Sequence, residues 1–225
     1  MSVSSTTSPS ATRSPLRVAL LAVIAVGLVL LGGGLAAALG IGRGQEAPAA
    51  GSVDVGFARD MAAHHLQGVE MANIALERST DPAVRRLAFD ISTTQTNQVG
   101  RMQGWLAFWD YSLTGGDVMA WMDGDGGHAG HDMSGMDGGL MPGMATEEEL
   151  ADLRNLSGTD FDVQFLRLMT RHHQGGLDMA LYAAEHGEAS VVRDLGRSIA
   201  ASQTAETETM LGMLDERGGT PLPAP

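Results

Sequence analysis

The sequence predicts an all-α protein: an antiparallel four-helix bundle made of two repeated helical hairpins, preceded by an N-terminal transmembrane helix. Three observations predict it. A block of residues recurs at a fixed offset of 108 positions, so that Phe57 returns as Phe165 and Met61 as Met169. Within each copy the apolar positions follow the i, i+4, i+7, i+8 spacing of one helix face. Near the start, an apolar run reaches the length a helix needs to cross a bilayer. No segment alternates apolar and polar residues between hairpin turns, which argues against strands.

Residues 1–15 are polar, rich in Ser and Thr, and are expected to form a cytoplasmic tail. Residues 16–41 are apolar except for Arg17. Arg13 and Arg17 precede the run, which by the positive-inside rule keeps the amino terminus in the cytoplasm and sends everything after Arg43 outside. The segment reads as a transmembrane signal anchor or a signal peptide. Ala36-Ala37-Ala38 supplies small residues for cleavage, whereas the run is longer than a usual signal core. The expected location is therefore the cell membrane, single-pass with the domain outside the cytoplasm, or a secreted or periplasmic one if the segment is removed.

Residues 42–52, rich in Gly, Ala and Pro, read as a linker. Helices are then expected near 53–78, 82–110, 147–186 with a break near Gly158, and 189–217. Asp81-Pro82 suits an N-cap followed by proline at the first helical position. Thr146 with Glu149 suits a capping box. Gly187 suits the end of the third long helix, and Gly218-Gly219 with Pro221 stops the last one. A domain over 53–217 results, with repeat 1 at 53–110, a Met/His-rich loop at 112–145, repeat 2 at 146–217, and a tail at 218–225.

Composition narrows the chemistry. An apolar share of 44% supports a buried core. The 14 basic residues are all arginine, form no run and face 27 acidic ones, for a net charge of −13, so no nucleic-acid partner is expected. The absence of cysteine rules out disulfides, thiolate metal sites and a cysteine nucleophile. Any metal is left to His, Met, Asp, Glu or backbone. Fourteen Met beside five Phe and two Tyr is an unusual balance that asks for a use.

The repeated unit supplies one. Met61, His64, His65, Gly68, Met71 and Ala72 return as Met169, His172, His173, Gly176, Met179 and Ala180. Downstream, Val84, Ile91, Gln95 and Met102 return as Val192, Ile199, Gln203 and Met210. At about 100° per residue the members of each Met-x-x-His-His set share one helix face, the one that should face the core. Burying four imidazoles is costly unless each finds a partner, and Gln95 and Gln203 are the obvious candidates on the paired helices. Metal ligation satisfies imidazoles, and the soft thioether beside them favours copper, with silver as a surrogate, over Mg(II) or Ca(II). The candidate ligands are His64, His65, His172, His173, Met61, Met71, Met169 and Met179. Against this stands ordinary packing: a core histidine bonded to a carbonyl and a methionine stripe that fills gaps.

Between the copies, the Gly- and Asp-rich loop carries Met119, Met122, His128, His131, Met133, Met136, Met141 and Met144. An exposed thioether gains nothing from packing and is open to oxidation, so the loop reads as a flexible secondary metal-capture segment. The other reading is a solvated connector.

The motif Met-x-x-His-His-x-x-Gly-x-x-Met-Ala, present at 61–72 and 169–180, with Met141-Pro-Gly-Met144 in support, resembles the bacterial DUF305 family (domain of unknown function 305) over about Val53 to Arg217. The resemblance implies a ferritin-like helical bundle, exported or membrane-anchored, with some members tied to periplasmic copper binding and resistance. Members often carry Gln-x-x-Glu on the second helix of a hairpin; here Gln203-Thr-Ala-Glu206 keeps the acid and Gln95-Thr-Asn-Gln98 does not. The leading expectation is a non-enzymatic copper-binding protein that sequesters copper or delivers it to a copper-transfer partner. The alternatives are a metal-free envelope interaction or stress module and a ferritin-like di-metal oxidase. The chain contains no Glu-x-x-His, the motif that di-iron bundles pair.

Overall fold

The computed structural model describes residues 15–38, 47–123 and 140–225. The chain divides into two compact units, 1–46 and 47–225. In the first, α1 (Pro15–Ala38) is the apolar helix, and its large apolar side chains from Leu16 to Leu35 are exposed. Its stretch Pro15–Ala36 is long and apolar enough to cross a membrane, a test that signal sequences also pass.

Among its described residues the second unit has helices joined by turns and irregular segments, and no strand. It contains α2 (Val53–Arg78), α3 (Pro82–Phe108), α4 (Glu147–Asn155), α5 (Gly158–His186) and α6 (Ser190–Glu216), with a single 3-10 turn at Ala120–Met122. The third long segment breaks at Gly158, whose φ of +60° glycine adopts without steric cost. Local chemistry sets the helix ends. Ser52 accepts from the Val55 amide and Asp81 from the Ala83 amide, Pro82 follows at the first helical position, and Thr146 and Glu149 form a reciprocal capping box.

Helices α2 and α3 pack as one hairpin, α5 and α6 as a second, and the two meet through α2 and α5. Reciprocal contacts fix the antiparallel sense of that seam. Asp54, at the start of α2, accepts from the amides of Glu188 and Ala189 at the α5–α6 turn, at 3.0 and 2.9 Å. Asp162, its repeat equivalent, accepts from the Ser79 hydroxyl at the α2–α3 turn, at 2.6 Å. Asp54 therefore satisfies two backbone donors of the opposite turn, and Asp162 a side-chain hydroxyl. Arg217, at the end of α6, pairs with Asp81 at the start of α3.

The core forms two clusters along the seam. Met61 and Met179 lie in the first with Phe57, Val99, Met102 and Leu106. Met71 and Met169 lie in the second with Phe161, Phe165, Ile91 and Leu150. Phe57, Phe161 and Phe165 are fully buried, each stabilising the fold by about 2 kcal/mol through removal of apolar surface from water. The tail after α6 is not free of this core, because Leu222 packs against the second cluster.

The expectation of an unpacked central loop needs correction at both described ends. Met119 and Met141 are buried in the first cluster, and Met122 and Met144 pack against it. Trp121 turns inward because Gly56 leaves room: a Cβ there would fall 2.3 Å from the indole. The buried Asp60 carboxylate then accepts from the Trp121 indole N–H and the Met119 amide, both at 2.8 Å. These anchors lie far from the segment in sequence, so local composition could not reveal them. His128, His131, Met133 and Met136 lie outside the described residues.

Candidate metal centre

The repeat and the antiparallel seam together bring all four histidines of the two motifs to one place. Each is fully buried. His64 and His172 stack across the seam with ring centroids 3.9 Å apart, and His65 and His173 flank them at 6.3 and 6.2 Å from their neighbours. Gly68 and Gly176 make the approach possible. A Cβ on Gly68 would fall 3.0 Å from Cε1 of His172 and 2.2 Å from Oε1 of Gln95, and one on Gly176 would fall 3.1 Å from Cε1 of His64. The four motif methionines, Met61, Met71, Met169 and Met179, are fully buried at the same level of the sequence motif and divide between the two clusters.

Every imidazole is bonded through Nε2. His64 donates to the Pro142 carbonyl at 3.1 Å and His172 to the His64 carbonyl at 2.9 Å. His65 donates to the Gln98 side-chain oxygen at 2.7 Å and His173 to the Glu206 carboxylate at 2.6 Å. These partners accept and cannot donate, so each Nε2 carries a proton. All four Nδ1 atoms are buried without a hydrogen-bond partner. The expected partners Gln95 and Gln203 contribute nothing here: both amides are themselves buried and unbonded, and the bonded residues lie one turn further along α3 and α6.

Three of the rings, those of His64, His65 and His172, are held neutral. Burial, slightly opposed by the Pro142 carbonyl, pushes His64 down to about 4. Burial and the nearby His64 push His65 down to about 3. Burial and repulsion from the other three rings hold His172 well below the usual histidine range. A neutral imidazole with Nε2–H on a carbonyl or carboxylate and a bare second nitrogen is the protonation and orientation that metal-ligating histidines adopt. Among the described residues, no three or more His, Asp or Glu side chains are gathered around one point. The four imidazoles, though neighbours along the seam, therefore do not converge into one cluster able to hold an ion.

Pro142 was not legible as a site residue, although its Met-Pro-Gly-Met setting was. Its carbonyl reaches His64 because Gly175 has no side chain: a Cβ there would lie 2.0 Å from the Pro142 oxygen. Gln67, the repeat equivalent of Gly175, clasps the next residues instead, donating to the Ala145 carbonyl at 2.9 Å and accepting from its amide at 2.7 Å. Arg171 adds a bond to the Met144 carbonyl and a paired contact to Glu149.

Fold and site define a class: an internally repeated helical protein with an apolar N-terminal helix and a row of four buried imidazoles. The chain belongs to the DUF305 family (Domain of unknown function), whose model matches residues 54–214. It is similar to a DUF305 protein from Streptomyces coelicolor, at 43% identity over 77% of this chain and 99% of that one, with a TM-score of 0.69. A DUF305 fragment from Deinococcus radiodurans matches at 33% identity over 73% of this chain and 96% of that one, with a TM-score of 0.59. CopM in its Cu(II)-bound form matches at 26% identity over 73% and 97%, with a TM-score of 0.54. No curated protein matches the chain.

Proposed function

We propose that this protein is an extracytoplasmic copper-binding protein that sequesters copper or hands it to a copper-transfer partner, with no turnover. In this reading His64, His65, His172 and His173 supply nitrogen through Nδ1, and Met61, Met71, Met169 and Met179 supply sulfur. The observation that carries it is the set of four buried Nδ1 atoms left without a hydrogen-bond partner while every Nε2 of these rings is bonded. A buried polar atom without a partner costs about 1–3 kcal/mol, and a ligated ion removes that cost. The likeness to CopM, a protein solved with Cu(I), Cu(II) and silver, supports copper as the ion and silver as its surrogate.

The same reading takes the two hairpins as a ferritin-like four-helix bundle, which the Arg217–Asp81 pair between α6 and α3 supports. It takes α1 as the anchor or export signal that delivers the domain outside the cytoplasm, membrane-held or released. A di-metal oxidase finds little support, since neither Glu-x-x-His nor a gathered carboxylate set is found among the described residues. A metal-free envelope module has one observation in its favour: the protein itself satisfies each Nε2.

The deciding experiment is metal analysis of the full chain in detergent micelles after loading with Cu(I), beside a variant with all four histidines changed to Ala. The wild type is expected to retain copper and to melt at a higher temperature with it, because a ligand of the native state stabilises by mass action. The variant is expected to lose the imidazole-bound copper while keeping its helical circular dichroism. Full copper retention by a folded variant overturns the imidazole site, and an unchanged wild-type melting temperature with copper favours the metal-free module.

A further inference from the structure

The end of α3 carries aromatic residues that neither the core nor the imidazole row absorbs. Phe108, the last residue of α3, is 79% exposed, the most exposed large apolar side chain among the described residues of this unit. Beside it, Trp105, Trp109 and Tyr111 are partly buried against the first core cluster. The two indoles stack at 6.2 Å, and the Arg101 guanidinium lies 5.6 Å from the Trp105 ring. The core thus fixes a group of rings whose outermost member faces water with no packing in return.

The repeat supplies an internal control. At the equivalent positions α6 carries Met213, Glu216 and Arg217 in place of Trp105, Phe108 and Trp109. Between Asp90 and Asp110 the only charged residue is Arg101, whereas the matching stretch of α6 holds Glu206, Glu208, Asp215 and Glu216. A helical hairpin of this kind therefore forms without an aromatic, nearly uncharged outer face.

This surface also lies where the chain enters the unit. The Tyr111 hydroxyl donates to the Pro48 carbonyl at 2.7 Å, so the segment arriving from α1 is held against the same end of α3. At most about 35 Å of extended chain joins Ala38, the end of α1, to Pro48. Exposed Leu113 and Val118 follow α3, next to residues that Arg59 and Asp60 hold beside the first turns of α2.

We propose that the end of α3, through Trp105, Phe108 and Trp109, docks on the lipid surface to which α1 tethers the domain. The inference rests on the reading of α1 as a retained anchor. Indoles favour the membrane interface because the ring is apolar while its N–H stays wet. Phe108 adds a wholly apolar ring, and Arg101 is placed to meet headgroup phosphate. A chain at −13 is repelled by anionic headgroups over most of its surface, and this face, with Arg101 as its charge, is where that repulsion is weakest. A second copy brings the same −13 with it, whereas the short tether holds lipid at high effective concentration.

The chain has no cysteine, so one introduced thiol carries a nitroxide at a single place. Ala107→Cys, beside Phe108, and Asp215→Cys, its repeat equivalent on α6, both fall at exposed positions. The full chain is reconstituted in vesicles of phosphatidylcholine and phosphatidylglycerol. Power saturation then compares access of oxygen, which partitions into lipid, with access of a water-soluble nickel chelate. The oxygen-to-nickel ratio is expected to be severalfold higher at 107 than at 215. Adding Phe108→Glu, the residue that the second copy has there, should bring the ratio at 107 down toward that at 215. Equal ratios at the two positions, or a ratio at 107 that Phe108→Glu leaves unchanged, overturn the docking. Spin–spin broadening at 107 that disappears on dilution with unlabelled chain assigns the face to a second copy and overturns it as well. A chain that fails to float with the vesicles overturns the anchor reading of α1 and the docking with it, whereas a floating chain with a water-exposed label at 107 sinks the docking alone.

Discussion

The two hairpins carry the same residues at the same register, yet the molecule uses them differently. In the second hairpin, position 175 is glycine and lets the Pro142 backbone touch α5; in the first, the equivalent Gln67 reaches out and grips Ala145 by both its amide and carbonyl. His172 bonds to the carbonyl of His64, as two-fold symmetry allows, but His64 bonds to Pro142 and not to His172. His65 faces a neutral amide and His173 a carboxylate. One central segment cannot lie symmetrically against two related halves, so a duplicated framework meets the linker by backbone contact on one side and by a side-chain clasp on the other.

Four measurements break or sharpen this contrast. The largest effect is expected from acid, which acts on the shared imidazole row. His64 and His65 are held at about 4 and 3 in the folded chain, against an ordinary value near 6.5. Above pH 6.5 both states are neutral and stability is fully present. Below it the unfolded chain takes up protons that the folded one refuses, so stability falls as pH drops toward 4. The slope is about 1.4 kcal/mol per pH unit for each such group. Urea midpoints of the metal-free chain at pH 7.5, 6 and 5 should decline in that order, and a flat series would mean that the rings are not buried and neutral.

Next is Gly175→Ala, which drives a Cβ into the Pro142 carbonyl and the Gly143 amide, both backbone atoms. A loss of about 3 kcal/mol in denaturant stability is expected, since neither wall can yield cheaply. Gln67→Ala, at the equivalent position, should cost about 2 kcal/mol by leaving the Ala145 amide and carbonyl unpaired. If the two substitutions cost the same, the central segment is not held unequally by the two halves.

The smallest effect on stability, though not on binding, is expected from Glu206→Gln. It makes the second copy resemble the first at this position, where Gln98 already stands. The carboxylate is about one-fifth exposed, so the fold should tolerate the change. Under the proposed function, losing the carboxylate that orients His173 should weaken copper binding by about tenfold or more, measured by competition with a Cu(I) chelator. An unchanged affinity would place copper away from His173.

Much of this architecture could be read along the chain. The offset of 108, the helical spacing and caps such as Asp81-Pro82 and Thr146/Glu149 locate the hairpins, because each depends on residues within a turn or two of one another. The inward face of the Met-x-x-His-His motif was legible for the same reason. Its hydrogen bonds were not. Gln95 and Gln203 looked like the partners from sequence, whereas Gln98 and Glu206, about one turn further along α3 and α6, are, since the axial register of those helices is set by packing and not by local spacing.

The sequence by itself determined two hairpins, an apolar leading helix, and histidines and methionines on one face of each repeat, because periodicity and capping are properties of short stretches of chain. Only the tertiary structure decided which imidazole nitrogen is bonded and which is without a partner, and that Met119 and Met141 join the core. Those outcomes depend on backbone groups brought together across long separations, such as Pro142 against Gly175 and Asp60 against Met119, and no local pattern encodes them.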